Sequence, residues 1–167
     1  MKTNKKVCCF FGHRKIADSV CLKPMVYKAM EDLILHCGVD TFLFGSRSEF
    51  DNLCREVTSE LKEKYPHIKR IYVRAEYPDI SDDYKNYLLQ SCDETYYPEK
   101  LRNAGKAVYV ERNFEMIDKS DYCIVYYKSG YTPTEKKDTL FHNAKSGTEI
   151  AFDYAVKKEK IIVNLGK

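Results

Sequence analysis

Short, continuous apolar runs, each closed by a glycine or a polar turn and followed by a stretch of helical spacing, limit the folds open to this chain more than any other feature. Val7-Cys8-Cys9-Phe10-Phe11 stops at Gly12, and Thr41-Phe42-Leu43-Phe44 stops at Gly45-Ser46-Arg47. Tyr122-Cys123-Ile124-Val125-Tyr126 and Ile161-Ile162-Val163 repeat the pattern later. A run that is apolar on both faces suits a strand covered on both sides, as in a parallel sheet. Between the first two runs, Met25, Val26, Ala29, Met30, Leu33, Ile34 and Cys37 recur with a 3.6-residue period. The spacing predicts a helix over Leu22 to Cys37, with Pro24 in its first turn and Gly38 as its C-cap. Phe50, Leu53, Cys54, Val57 and Leu61 mark a second helix, which Ser48, three residues before Asp51, is placed to cap.

Ile68 to Ala75 reads as a third strand, with Ile71 and Val73 on one face. The polar stretch from Glu76 to Leu101 holds a short helix over about Asp82 to Ser91 and an extended piece at Tyr96-Tyr97-Pro98. Val110, Phe114 and Ile117 space a helix from about Lys106 to Lys119, and Ile150, Ala151, Tyr154 and Ala155 space another from Thr148. Strands alternating with helices predict an α/β, Rossmann-like three-layer sandwich with a mostly parallel central sheet and a ligand crevice at the carboxyl ends of its strands. A length of 167 residues suits one domain with one core. Lys128 to Ser146 is the long irregular connection, and a segment of that kind is expected to be a binding loop or lid.

Charge narrows the function. The 28 Lys and Arg against 25 Asp and Glu are interspersed, so no basic face is expected and nucleic acid is an unfavoured partner. The first apolar run is far shorter than the roughly 18 residues that cross a bilayer, so the reading is a cytoplasmic protein with no signal peptide and no membrane partner. Seven cysteines form no C-x-x-C pair, and four histidines lack metal-ligand spacing. Reduced core thiols, no metal and no cofactor are therefore expected.

Three glycine loops are the candidate binding residues: Gly12-His13-Arg14, Gly45-Ser46-Arg47 with Asp51, and Ser146-Gly147-Thr148. Glycine lets a backbone approach a ligand closely, and a helix start offers unpaired N–H groups at a positive dipole end, which together favour a phosphate. Arg14, Arg47 and Arg112 are placed to add forked, charge-assisted hydrogen bonds. His13 titrates near neutral pH and is a candidate acid or base, although a loop histidine is more often a plain hydrogen-bonding residue. Asp79, Asp82 and Asp83 lack calcium-loop spacing and read as a solvated turn and helix start. The tyrosines, paired at Tyr96-Tyr97 and Tyr126-Tyr127, read mainly as packing residues at the rim of the sheet.

At these positions the chain resembles the SLOG superfamily of Rossmann-like proteins, and within it the YpsA-like branch. The resemblance rests on Gly12-His13-Arg14 after the first strand, Gly45 to Asp51 after the second, Arg112-Asn113 leading to Ser120-Asp121, and Ser146-Gly147-Thr148 before Ala151, Tyr154 and Ala155. It covers nearly the whole chain. It implies a nucleotide-like ligand, since that superfamily, which includes cytokinin-activating phosphoribohydrolases and the DNA-processing protein A fold, binds nucleotides, nucleotide-derived signals or single-stranded DNA. Its hydrolytic members have Lys where this chain has Asn113, and place their Glu two or three residues after the Thr, whereas Glu149 directly follows Thr148. A one-residue shift turns a side chain about 100° around a helix, which speaks against that hydrolysis.

Three functions follow, in order of weight. The first is binding or sensing of a phosphate- and ribose-containing small molecule by Gly12, His13, Arg14, Gly45, Ser46, Arg47, Asp51, Asn113, Ser146, Gly147 and Thr148. The second is cleavage or transfer of a nucleotide N-glycosidic bond, with Glu149 and Arg112 as catalytic residues. The third is single-stranded DNA binding, which the near-neutral charge disfavours. A homodimer that completes the crevice is left open.

Overall fold

The run Val7 to Phe11 becomes the middle of a sheet because both of its faces are apolar and both of its edges find a partner. In the computed structural model, which describes residues 5–130 and 145–166, this strand is β1 (Lys6–Gly12). The chain continues through α1 (Ser19–Cys37), β2 (Val39–Phe44), α2 (Glu49–Lys64), β3 (Lys69–Val73), α3 (Asp82–Leu88) and β4 (Glu94–Tyr96). Two short 3-10 turns then lead to α4 (Val108–Asp118), β5 (Tyr122–Tyr126), α5 (Gly147–Lys157) and β6 (Ile161–Asn164). The six strands lie in the order β4-β3-β2-β1-β5-β6, and every pair is parallel. This is the expected Rossmann-like sandwich, with a described sheet that is wholly parallel.

Alternation along each strand divides the core. Cys8 and Phe10 of β1, Phe42 and Phe44 of β2, and Ile124 and Tyr126 of β5 face α1 and α2, where they meet Val26, Met30, Phe50 and Leu61. Cys9, Phe11, Leu43, Cys123 and Val125 face the other way, onto Met116 and Ile117 of α4 and Ala151 and Ala155 of α5. The small alanines let α5 lie close over β1 and β5. Asp121 fixes the register from the amino end, its carboxylate accepting from the N–H of Val7 at 3.0 Å while its own N–H donates to the Val7 carbonyl at 2.8 Å. The seven cysteines are free thiols, and Cys9 and Cys123, directly paired across β1 and β5, hold their sulfurs 3.6 Å apart.

The caps follow local chemistry. Ser48 Oγ accepts from the N–H of Asp51 at the start of α2, and Gly38 ends α1 in the left-handed region at φ 71°. Other details depart from the expectation. α1 begins at Ser19, capped by Asp18, so Pro24 is the sixth helical residue and stands in the second turn rather than the first. The turn tolerates the missing N–H because Val20, whose carbonyl loses that bond, lies on the solvent side. On α4 the buried positions are Arg112, Met116 and Ile117, with Val110 and Phe114 only half-buried. The extended piece near Tyr96 is the edge strand β4, and the third strand is shorter than Ile68 to Ala75. The expected binding loop over 128–146 lies, from 131 to 144, outside the described residues. Among the described residues no helix is long and apolar enough to cross a membrane.

Gly12 ends β1 against α2, where a Cβ would stand 2.6 Å from Cδ1 and 2.8 Å from Cγ of Phe50. Phe50 is fully buried and has little room to retreat. Gly12→Ala is therefore expected to cost about 1–3 kcal/mol and to lower the Tm by about 3–10 °C in a thermal melt.

Candidate functional site

The chain leaves β1 toward β2 on one edge and reaches β5 on the other, so the connections from the two adjacent strands part to opposite faces. A crevice opens where they diverge, at the carboxyl ends of the strands. It holds a cavity of about 600 Å³. Gly12 at the end of β1 lines it with His13 and Arg14 beyond, as do Ser46 and Arg47 after β2. Asn113 and Arg112 enter from α4, and Ser146, Gly147 and Thr148 from the start of α5. The three glycine loops thus meet at one place.

Arg112 is the most constrained of these residues. It is buried, its Nη1 donates to the carbonyl of Gly45, and its Nε donates to Oδ1 of Asn113 at 3.2 Å. Gly45 has to be glycine for this to happen, because a Cβ there would stand 2.5 Å from Cδ and 2.7 Å from Nε of the arginine. The role of Gly45 is to admit the side chain behind the cavity wall. Burial lowers the Arg112 pKa, with the Asp51 carboxylate opposing the shift.

Asp51 is fully buried in the first turn of α2. Its Oδ2 accepts from the N–H of Ser46 at 2.6 Å, and Ser46 Oγ meets Ser48 Oγ at 3.0 Å, so the β2–α2 loop is held by its own side chains. Asp51 Oδ1 has no hydrogen-bond partner among the described residues. Burial raises the Asp51 pKa, and the Ser46 hydrogen bond and Arg112 counter it. Arg14 is exposed, while its carbonyl accepts from the N–H of Glu49 at 2.8 Å and the Glu49 carboxylate accepts from the N–H of Ile16. The β1–α1 loop is thereby tied to the start of α2.

His13 is buried and extends the β1–β5 ladder, its N–H donating to the Tyr126 carbonyl at 3.1 Å. Its Nε2 accepts from the N–H of Lys128 at 2.8 Å. An imidazole that accepts at Nε2 is neutral and carries its proton on Nδ1. Burial lowers its pKa first, and the Lys128 charge adds to that. Its structural work is to fasten the start of the long 128–146 connection to β1.

At α5, Ser146 caps the helix by accepting from the N–H of Glu149 at 3.1 Å. The N–H groups of Gly147 and Thr148 have no intrahelical acceptor. A Cβ on Gly147 would meet nothing within 4 Å, so the glycine leaves open space rather than relieving a clash. Glu149, half-buried in the same turn, is not among the described residues that line the cavity.

Sequence reasoning missed the residues at the end of β3. Arg74, with Glu76 and Tyr77, lines the same cavity. Arg74 is only 9% exposed, and its Nε and Nη1 have no hydrogen-bond partner among the described residues. Burial lowers its pKa, with Tyr84, Asp79 and Tyr72 opposing. The signal was present, since Arg74 closes an apolar strand at the carboxyl edge, but no glycine marks that loop. Asp79, Asp82 and Asp83 are not among the cavity residues, and no group of three His, Cys, Asp or Glu side chains among the described residues is arranged to hold a metal ion.

No protein-family model matches the chain, and no curated protein matches its sequence. Among solved structures it is similar to the Moco carrier protein of Chlamydomonas rheinhardtii, with a TM-score of 0.52 and 17% identity over 98% of this chain and 77% of that one. At that identity the similarity concerns the fold.

The depressed His13 pKa has a definite sign. The folded state holds the neutral imidazole more strongly than the unfolded chain does, whose histidine titrates near 6.5. This contribution is complete above about pH 6.5 and is lost as pH falls through the folded pKa below it. Thermal melts from pH 7.5 to 5.5 should show a falling Tm, and His13→Gln should flatten that slope while lowering the Tm at pH 7.5.

Proposed function

We propose that this chain is a SLOG-type protein of the YpsA-like branch that binds a phosphate-bearing, nucleotide-like small molecule at the carboxyl edge of its sheet. The observation that carries the reading is the charge around the cavity. Arg14, Lys15, Arg47, Arg74 and Arg112 line it against only Asp51 and Glu76, although the chain as a whole is nearly balanced. Gathering cations around a concave, partly buried site raises the local concentration of anions. The unpaired N–H groups at the start of α5 supply the directional part, as helix starts do for phosphates. Tyr72, Tyr77, Tyr84 and Tyr109 on the same wall provide flat apolar surface for a ring. The solved structure of similar fold is named as a carrier of Moco, in keeping with small-molecule binding on this fold.

Binding is preferred to N-glycosidic cleavage on one point. Glu149, the carboxylate expected to stabilise a ribosyl transition state, does not line the cavity. Thermal-shift titration with nucleoside monophosphates, sugar nucleotides, dinucleotides and short oligonucleotides, each followed by product analysis, separates the readings. Stabilisation without breakdown supports binding. Release of a free base supports the hydrolase, and no response to any compound at millimolar concentration overturns the proposal.

Gly147→Glu is the informative variant. The added side chain has open space, and an acid in the first turn of a helix stabilises it by about 0.3–1 kcal/mol. The variant should fold with an unchanged or slightly higher Tm, yet bind an anionic ligand at least about tenfold more weakly by calorimetry, because the carboxylate takes the ligand's place at the dipole.

A further inference from the structure

We infer that the cavity holds two oxyanion subsites, one at the start of α5 and a second at Arg74, so that its ligand is a nucleotide-like molecule bearing two separated anionic groups. The inference rests on the binding reading above and names the class of ligand within it. Arg74 is the only cavity arginine among the described residues that is buried and leaves both Nε and Nη1 without an acceptor. Arg112, buried more deeply, directs Nη1 to Gly45 and Nε to Asn113. A guanidinium stays charged at any ordinary pH and cannot shed its burial cost by losing a proton. The planar guanidinium of Arg74 presents five N–H donors in a fixed fork, which suits an acceptor with several oxygens.

The fold places the backbone of Arg74 apart from the helix start. Arg74 leaves β3, which is two strands from β1, whereas α5 lies over β1 and β5. At about 4.8 Å between neighbouring strands, the ends of β1 and β3 are on the order of 10 Å apart. A single phosphate does not span that interval. Near Arg74 the wall carries Arg47, which is drawn toward Tyr72, together with Tyr84. Glu76, the carboxylate on this wall, accepts from the hydroxyl of Tyr109 at 2.9 Å and keeps its charge. Three arginines, Arg47, Arg74 and Arg112, outweigh that one carboxylate in this part of the lining.

The test uses inorganic phosphate as the probe and the whole, 15N-labelled chain, at constant ionic strength set with chloride. Side-chain Nε–H and backbone amide resonances are followed by NMR, and the Arg74 Nε–H signal is assigned by its loss in Arg74→Gln. Two responses are expected in the wild-type protein, one at the Gly147 and Thr148 amides and one at Arg74 Nε–H and the Ala75 amide, each saturating with its own Kd. In Arg74→Gln the Ala75 response should weaken by about tenfold or more, while the Kd read at Gly147 and Thr148 stays within twofold. Movement at the α5 amides alone overturns the second subsite and leaves the binding reading standing. Silence at both places overturns both, and the wild-type titration decides this even if the variant does not fold.

Discussion

The parallel pairing of β1 with β2 on one edge and with β5 on the other is the constraint on which the site depends. It places a strand with two apolar faces at the centre of the sheet, where Cys8 and Phe10 fill one side and Cys9 and Phe11 the other. Because the chain reaches β2 and β5 in opposite directions from β1, the loops at their carboxyl ends splay and cannot fill the space between them. The cavity is a consequence of strand order. Asp121 locks the far end of the pair and His13 the near end, so the walls are set by backbone hydrogen bonds rather than by the loops alone.

Two buried arginines on this frame show how the same side chain serves different ends. Arg112 is satisfied from within, by a carbonyl that only a glycine can present at that distance and by the neighbouring Asn113. It braces α4 against the β2–α2 loop and contributes charge to the cavity without being free to leave. Arg74 is buried nearly as deeply, but its Nε and Nη1 have no hydrogen-bond partner among the described residues. A buried, unpaired cation works against folding, and a protein that keeps one at the wall of a cavity stands to recover the cost when an anion arrives. The glycines divide in the same way. Gly12 and Gly45 are required by Phe50 and Arg112, while Gly147 answers to nothing but open space at a helix start.

Much of the fold was legible locally. The buried strands, the Ser48 and Gly38 caps and the helical stripes all rest on interactions between residues near each other in the chain, so periodicity and turn chemistry suffice to find them. Errors fell where local signals are weak or misleading. β4 is three residues long and half-exposed, and it exists because β3 offers an edge. The helical period of α1 begins at Leu22, but the cap at Asp18 lies four residues earlier, which moves Pro24 into the second turn. On α4 the stripe that faces the sheet includes Arg112, because a charged residue with internal acceptors is buried where a hydrophobic count expects an apolar one.

The amino-acid sequence by itself determined the class of fold, the order of its elements and the three glycine loops at the strand ends and helix start, since each depends on a few adjacent residues. Tertiary structure alone decided which of those residues line one cavity. It set Glu149 outside that lining, turned Gly45 into a support for Arg112, and brought Arg74 beside them from a loop that carries no motif. The reason is that a cavity is defined by which strands are neighbours and which way a side chain leaves its helix, and both are settled by packing among segments distant in the chain.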